Sequence, residues 1–207
     1  ASTSYITSAN ACYQALYGTS TEQIDEGGLI FSPFGSQPFN LGGTKWGAGS
    51  PYTGGVNAVG PRIPGGLVTY SFMASGVNMG AEGADPSLAV SSLPTFSPCF
   101  VSEITSAFTA WSAVANIQFV QVADNGAAFN AGGAAGDIRI GAHTFDGPSS
   151  VLAHAFFPPP NGTSASGDLH FDRAENWSCT AGPGLIDIGI VAVHEIGHSI
   201  GLGHETT

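Results

Sequence analysis

The chain has 207 residues, enough for one domain of ordinary size with its own core, and 43% of them are hydrophobic. Its 15 acidic residues face only 4 lysines and arginines, a formal net charge of −11 that argues against a nucleic-acid backbone or an anionic membrane surface as partner. No apolar run approaches the ~20 residues needed to span a bilayer, so membrane insertion is not expected, and 30 glycines with 13 prolines describe a loop-rich chain.

In chain order, residues 1–43 read as an extension, with a short helical patch around Cys12 to Leu16 and then glycine- and proline-punctuated segments such as Leu29-Ile30-Phe31-Ser32-Pro33. Beyond it the pattern predicts a strand over 68–73, a helix over 99–115, strands over 117–122, 137–141, 151–156 and 168–172, and a helix over 186–200. That is an α/β (α+β) chain, a twisted five-stranded mixed sheet with two long helices. The start at Ala1, without methionine or a basic-plus-apolar leader, suits a mature secreted form or an artificially trimmed chain. Cys12, Cys99 and Cys179 allow at most one intrachain disulfide, with three pairings open.

The last predicted helix carries the chemistry. Leu185, Ile186, Ile188, Ile190, Val191, Ala192, Val193, Ile196 and Ile200 bury it on most sides, and Asp187 suits its first turn as a carboxylate at the positive end. Residues four apart on a helix share a face, so His194 and His198 can present two ring nitrogens to one ion. Glu195, turned about 100° away, flanks the metal and can hold the water that zinc makes acidic. Gly201 ends the helix in a left-handed turn, and the reversal brings up His204 as third ligand. Three protein ligands leave one position open, as in catalytic zinc sites.

The segment from Ile186 to His204 resembles the active-site helix of metzincin peptidases and, among them, the matrixins, the family of the matrix metalloproteinases. Val151-Leu152-Ala153-His154-Ala155-Phe156-Phe157-Pro158 is similar to the strand rimming the matrixin substrate cleft, and Gly167 to Trp177 to the metal-binding strand and loop after it. Phe100 to Val122 resembles the first long matrixin helix running into a strand, while Lys45-Trp46 and Val68 to Phe72 resemble the start of the domain. The resemblance covers roughly Thr44 to His204, dividing the chain into an extension of unknown role, 1–43, and a matrixin-like catalytic domain, 44–207. It implies a bacterial-type secreted, monomeric zinc metalloendopeptidase acting on protein substrates of the extracellular matrix kind. Glu195 would be general base, and substrate would lie along the edge strand of Ala153 and Ala155.

The resemblance also implies further metals. Matrixins hold a second zinc through the histidines matching His154 and His170 plus a His-x-Asp pair in a preceding loop. That pair is absent here, so His143 stands in as third ligand and the fourth is unidentified. An isolated histidine on a half-buried strand is more often an ordinary polar side chain, but all three histidines outside the catalytic motif fall here. Matrixin calcium positions match Asp146, Gly147, Ser149, Val151, Asp172 and Glu175, and a second calcium would draw on Asp137 and Asp168. Metzincins continue past the third histidine to a methionine-containing turn. Met73 and Met79 lie far upstream, so the expectation is either a longer native protein whose C-terminal part is missing here, or a chain that lacks the floor of its own site and carries His204 on a frayed end. Two other readings stay open: a catalytically silent zinc- and calcium-binding secreted module, against which Glu195 argues, and an adhesion or glycan-binding protein, which would leave the helix motif unexplained.

Overall fold

The computed structural model describes residues 23–24, 30–31, 46, 66–82, 89–90, 93, 98–115, 117–158 and 164–204. The helical patch expected around Cys12 to Leu16 lies outside the described residues. The chain divides into two compact units, Ala1–Asn40 with Gly203–Thr207, and Leu41–Leu202. In the first, β1 (Gln23–Ile24) and β2 (Ile30–Phe31) pair antiparallel, Gln23 opposite Phe31 and Ile24 opposite Ile30.

The second unit is built on a mixed five-stranded sheet. Its strands are β3 (Gly66–Phe72), β4 (Ile117–Gln121), β5 (Ile138–His143), β6 (Ala153–Ala155) and β7 (Leu169–Asp172), in the order β4-β3-β5-β7-β6. All neighbours run parallel except β6, which pairs antiparallel with β7 and forms one edge. A parallel β3–β4 pair needs a crossover, and helix α1 (Pro98–Val114) supplies it. Phe100, Ile104, Ala107 and Phe108 follow helical spacing and are buried in one core with Val68 and Tyr70 of β3 and Ile138, Ile140 and Ala142 of β5. Tyr70 stacks on Phe108 with ring centroids 4.2 Å apart. Helix α2 (Ile188–Ser199) adds Ile188, Ala192 and Ile196, one residue per turn, to the same core.

Every residue of β5 is buried, so both sheet faces are covered. Ile138, Ile140 and Ala142 face the helices, which turns Arg139, Gly141 and His143 to the other side. There a smaller core of Met73, Val77, Met79, Val90, Phe129 and Ala165 closes over the sheet. Gly141 permits that closure: a Cβ would stand 3.1 Å from the Met73 sulfur.

Helix α2 starts two residues later than its hydrophobic pattern predicts. Ile186–Asp187 form β9, which pairs in parallel with β8 (Trp177–Ser178). Asp187 is extended (φ −75°, ψ 113°), and its Oδ1 accepts from the amides of Gly189 at 2.9 Å and Ile190 at 3.2 Å, an N-cap that sets the start of the helix. Two indoles hold the helix in place: Trp111 Nε1 donates to the Val193 carbonyl at 2.9 Å and Trp46 Nε1 to that of Ser199 at 2.6 Å.

Of the three possible cysteine pairings, the structure shows Cys99–Cys179, linking the first turn of α1 to the residue after β8 across 80 positions. Closing so long a loop restricts the unfolded chain. Reduction, or Cys99→Ser with Cys179→Ser, is expected to lower unfolding free energy by about 2–4 kcal/mol in urea titrations with and without reductant.

Candidate active site and metal centres

His194 and His198 lie one turn apart on α2, and their Nε2 atoms approach to 3.1 Å. The end of the helix explains how they are aimed. Gly201 adopts φ +106°, its amide donating to the His198 carbonyl and the Leu202 amide to the Gly197 carbonyl, each at 2.9 Å. This pair of bonds is the Schellman closure, and it brings the Leu202 carbonyl to 2.7 Å from His198 Nδ1. A carbonyl only accepts, so Nδ1 carries a proton, and in the neutral imidazole it is Nε2 that faces His194 as the metal-binding nitrogen. His204, exposed, stands two residues beyond Leu202, a stretch that spans at most about 7 Å.

Glu195 is only 6% exposed, and burial pushes its carboxyl up to about 7. A folded-state pKa raised above 4.5 means that folding favours the protonated form. Its stabilising contribution is complete below about 4.5 and disappears as the pH rises through about 7. In metal-free protein at pH 8, Glu195→Gln is therefore expected to be more stable than wild type by about 3 kcal/mol, with the two converging near pH 4. Urea unfolding of both at each pH is the measurement, and equal stabilities at pH 8 would contradict the assignment.

A second convergence lies on the sheet face away from the helices. His154 and His170 are directly opposite each other in the β6–β7 register, and His170 stands beside Gly141 of β5, two residues before His143. The sequence pattern left His143 in a loop after residue 141, whereas β5 continues through it because Ala142 and His143 pair with Phe171 and Asp172. The group also contains Glu82, and the ligand atoms of Glu82, His143, His154 and His170 all lie within 4.8 Å of one another. Glu82 Oε1 meets His170 Nδ1 at 2.8 Å and also contacts His154 Nε2, which is itself 3.2 Å from His170 Nδ1. Glu82 Oε2 and His143 Nε2 approach to 2.8 Å without hydrogen-bond alignment.

Burial alone would raise the Glu82 carboxyl, but contacts from His143, His154 and His170 outweigh it and hold the group well below the usual carboxylate range. Burial drives His170 the other way, down to about 4, against the pull of Glu82. At neutral pH the cluster thus combines an ionised carboxylate with a neutral His170, the protonation states that metal ligation requires. No spacing rule reaches Glu82. It lies 61 positions before His143, and the packing of Met79 in the smaller core and the amide bond from Glu82 to the Met79 carbonyl carry it there.

The loop from Thr144 to Ser150 folds back on the end of β7 and brings the three expected carboxylates into one region. The Asp146 amide faces Asp172 Oδ2 at 3.4 Å, the Ser149 amide donates to Glu175 Oε1 at 2.6 Å, and the Val151 amide faces the Asp146 carboxylate at 3.4 Å. Gly147 and Ser149 both take positive φ, +91° and +72°, to make this turn. Asp137 and Asp168 are placed differently. Asp137 Oδ2 accepts from the Thr69 amide and hydroxyl, each at 2.8 Å, and the residue lines a cavity with Trp46, Gly133, Gly136 and Ser166. Asp168 Oδ1 accepts from the Arg139 amide at 2.9 Å, Oδ2 is buried with no hydrogen-bond partner, and burial raises the carboxyl well above its ordinary range. Ala153 and Ala155 lie half-buried on edge strand β6.

The model of the matrixin family matches residues 97–207, more than half of the chain. The chain belongs to the matrixin family. This matrixin is 46% identical to karilysin of Tannerella forsythia over 109 residues, which cover 49% of the chain and 21% of that protein. It is 39% identical to matrix metalloproteinase-20 of Homo sapiens over 111 residues (50% and 20%) and 40% identical to the human matrix metalloproteinase-17 over 99 (47% and 16%). The matched part of this matrixin thus spans about a fifth of the length of such relatives. Its sheet and two helices have the mixed α/β arrangement expected of the family. No helix among the described residues is long and apolar enough to cross a membrane.

Proposed function

We propose that this matrixin is a secreted, monomeric zinc-dependent endopeptidase, with residues 44–207 as its catalytic domain and 1–43 as an extension without an assigned role. The observation that carries the reading is the meeting of His194 and His198 Nε2 atoms at 3.1 Å beside the buried Glu195. The Nε2 edge of His198, oriented by the Leu202 carbonyl on Nδ1, fits a metal ion, and His204 lies within chain reach as third ligand. Bound there, zinc supplies a Lewis acid that makes water acidic near neutral pH and polarises the scissile carbonyl. Glu195 accepts the proton as the water oxygen attacks the carbonyl carbon, then delivers it to the amine nitrogen when the C–N bond breaks. Burial already holds this carboxylate near the pKa that two-way proton transfer favours. The polypeptide substrate lies along β6, its backbone bonding to Ala153 and Ala155.

The same reading assigns a second zinc to Glu82, His143, His154 and His170. Three imidazole nitrogens and one carboxylate match a closed tetrahedral zinc, and the crowding of all four onto one point without a complete hydrogen-bond pattern supports an ion there. His143 and Glu82 take the two places of the missing His-x-Asp pair. Calcium belongs at Asp146, Gly147, Ser149, Val151, Asp172 and Glu175, where carboxylates and a tight loop gather hard oxygen ligands. A second calcium at Asp137 and Asp168 would answer the unpartnered Asp168 oxygen.

Casein hydrolysis by the purified chain tests the reading: activity is expected to disappear with a chelator and return with zinc. A zinc-loaded, folded chain that cleaves neither casein nor gelatin would instead favour the silent metal-binding module.

A further inference from the structure

Beyond edge strand β6 the backbone stays ordered by pairing. The Phe156 amide donates to the Asp168 carbonyl at 2.9 Å and the Phe157 carbonyl accepts from Gly167 at 3.2 Å. Phe157 is therefore held on a fixed backbone, with Pro158 buried after it. Its ring stands edge to face with the His198 imidazole, centroids 5.9 Å apart, yet 39% of the residue is exposed. Among the described residues only six large apolar side chains are exposed, and this one flanks His198 at the end of the strand that substrate would extend.

Direction decides which part of the substrate it meets. A strand added antiparallel to β6, the more stable pairing at a sheet edge, runs its amino-terminal side towards residues 155–157. We infer that Phe157 is a specificity-determining residue that selects an apolar side chain on the amino-terminal side of the scissile bond, its ring forming one wall of that subsite. The inference rests on the peptidase reading above and on the register along β6. A phenylalanine ring is held by only two rotatable bonds, so contact with a substrate leucine or aromatic costs little ordering.

The test uses quenched-fluorescent peptides that differ only by serine or leucine at each of the three positions preceding the scissile bond. The full, zinc-loaded chain is assayed as wild type, Phe157→Tyr and Phe157→Ala. The leucine-to-serine ratio of kcat/KM is taken within each variant, so that a loss of folded or active protein cancels. Wild type and Phe157→Tyr are expected to prefer leucine about tenfold or more at one of these positions, and Phe157→Ala to bring that ratio close to one. A ratio unchanged in Phe157→Ala at all three positions overturns the assignment. A wild-type chain that cleaves no peptide overturns the peptidase reading itself, a different result from cleavage without selectivity.

Discussion

Glu195→Gln is expected to lower kcat/KM for peptide hydrolysis about 10²–10⁴-fold while zinc content remains that of the wild type. Glutamine keeps the shape and an acceptor oxygen but cannot take a proton, so only the transfer step is lost. The metal should be retained because Glu195, one position from His194, points about 100° away from the ligand face. Its neighbours make the comparison clean. Helix α2 is fixed at one end by the Asp187 cap and at the other by the Gly201 closure, and a swap of one buried side chain for an isostere leaves both untouched. Zinc analysis beside initial rates is the measurement. A variant that retains zinc and near wild-type turnover would remove Glu195 from the chemistry, whereas one that loses zinc would make it a ligand or an essential support of one.

The second large effect falls at Glu82. If the proposed second zinc binds there, Glu82→Ala is expected to lose it and to lower unfolding free energy by about 3–5 kcal/mol, since three imidazoles, two of them buried, lose the carboxylate they share. Zinc stoichiometry by elemental analysis and urea unfolding, in the presence and absence of chelator, separate the two parts. If the chelator brings wild type down to the level of Glu82→Ala, the stability came from the metal. If wild type retains its advantage without metal, it came from the carboxylate's contacts with His143, His154 and His170. A full complement of zinc in Glu82→Ala would contradict the ligand assignment.

The residues show why some of this was legible in advance. The helix over Pro98–Val114 was expected at 99–115 because its buried positions repeat every three to four residues, and that period is a property of the helix rather than of its surroundings. The His194, Glu195 and His198 arrangement could be read for the same reason: a separation of four residues fixes both angle and rise. Strand ends were harder. β6 is limited to Ala153–Ala155, and Val151 is turned aside by its amide contact with Asp146, while β5 runs on to His143 because β7 offers it partners. Apolar alternation cannot see a neighbouring strand.

The cysteine pairing and Glu82 lie at the far end of this scale. Three pairings of Cys12, Cys99 and Cys179 were equivalent in one dimension, and the approach of the α1 N-terminus to the residue after β8 selected one of them. Glu82 sits in a stretch with no motif, and it joins His143, His154 and His170 only because β5, β6 and β7 set three histidines on one face and the Met79 segment packs across them. The order of residues was sufficient wherever ligands are linked by a single helix, since covalent geometry and backbone hydrogen bonds then set their distance. Glu82, His143, His154 and His170, drawn from four separate segments, had no such link, and their meeting was decided by the register of the sheet and the packing of its covered face.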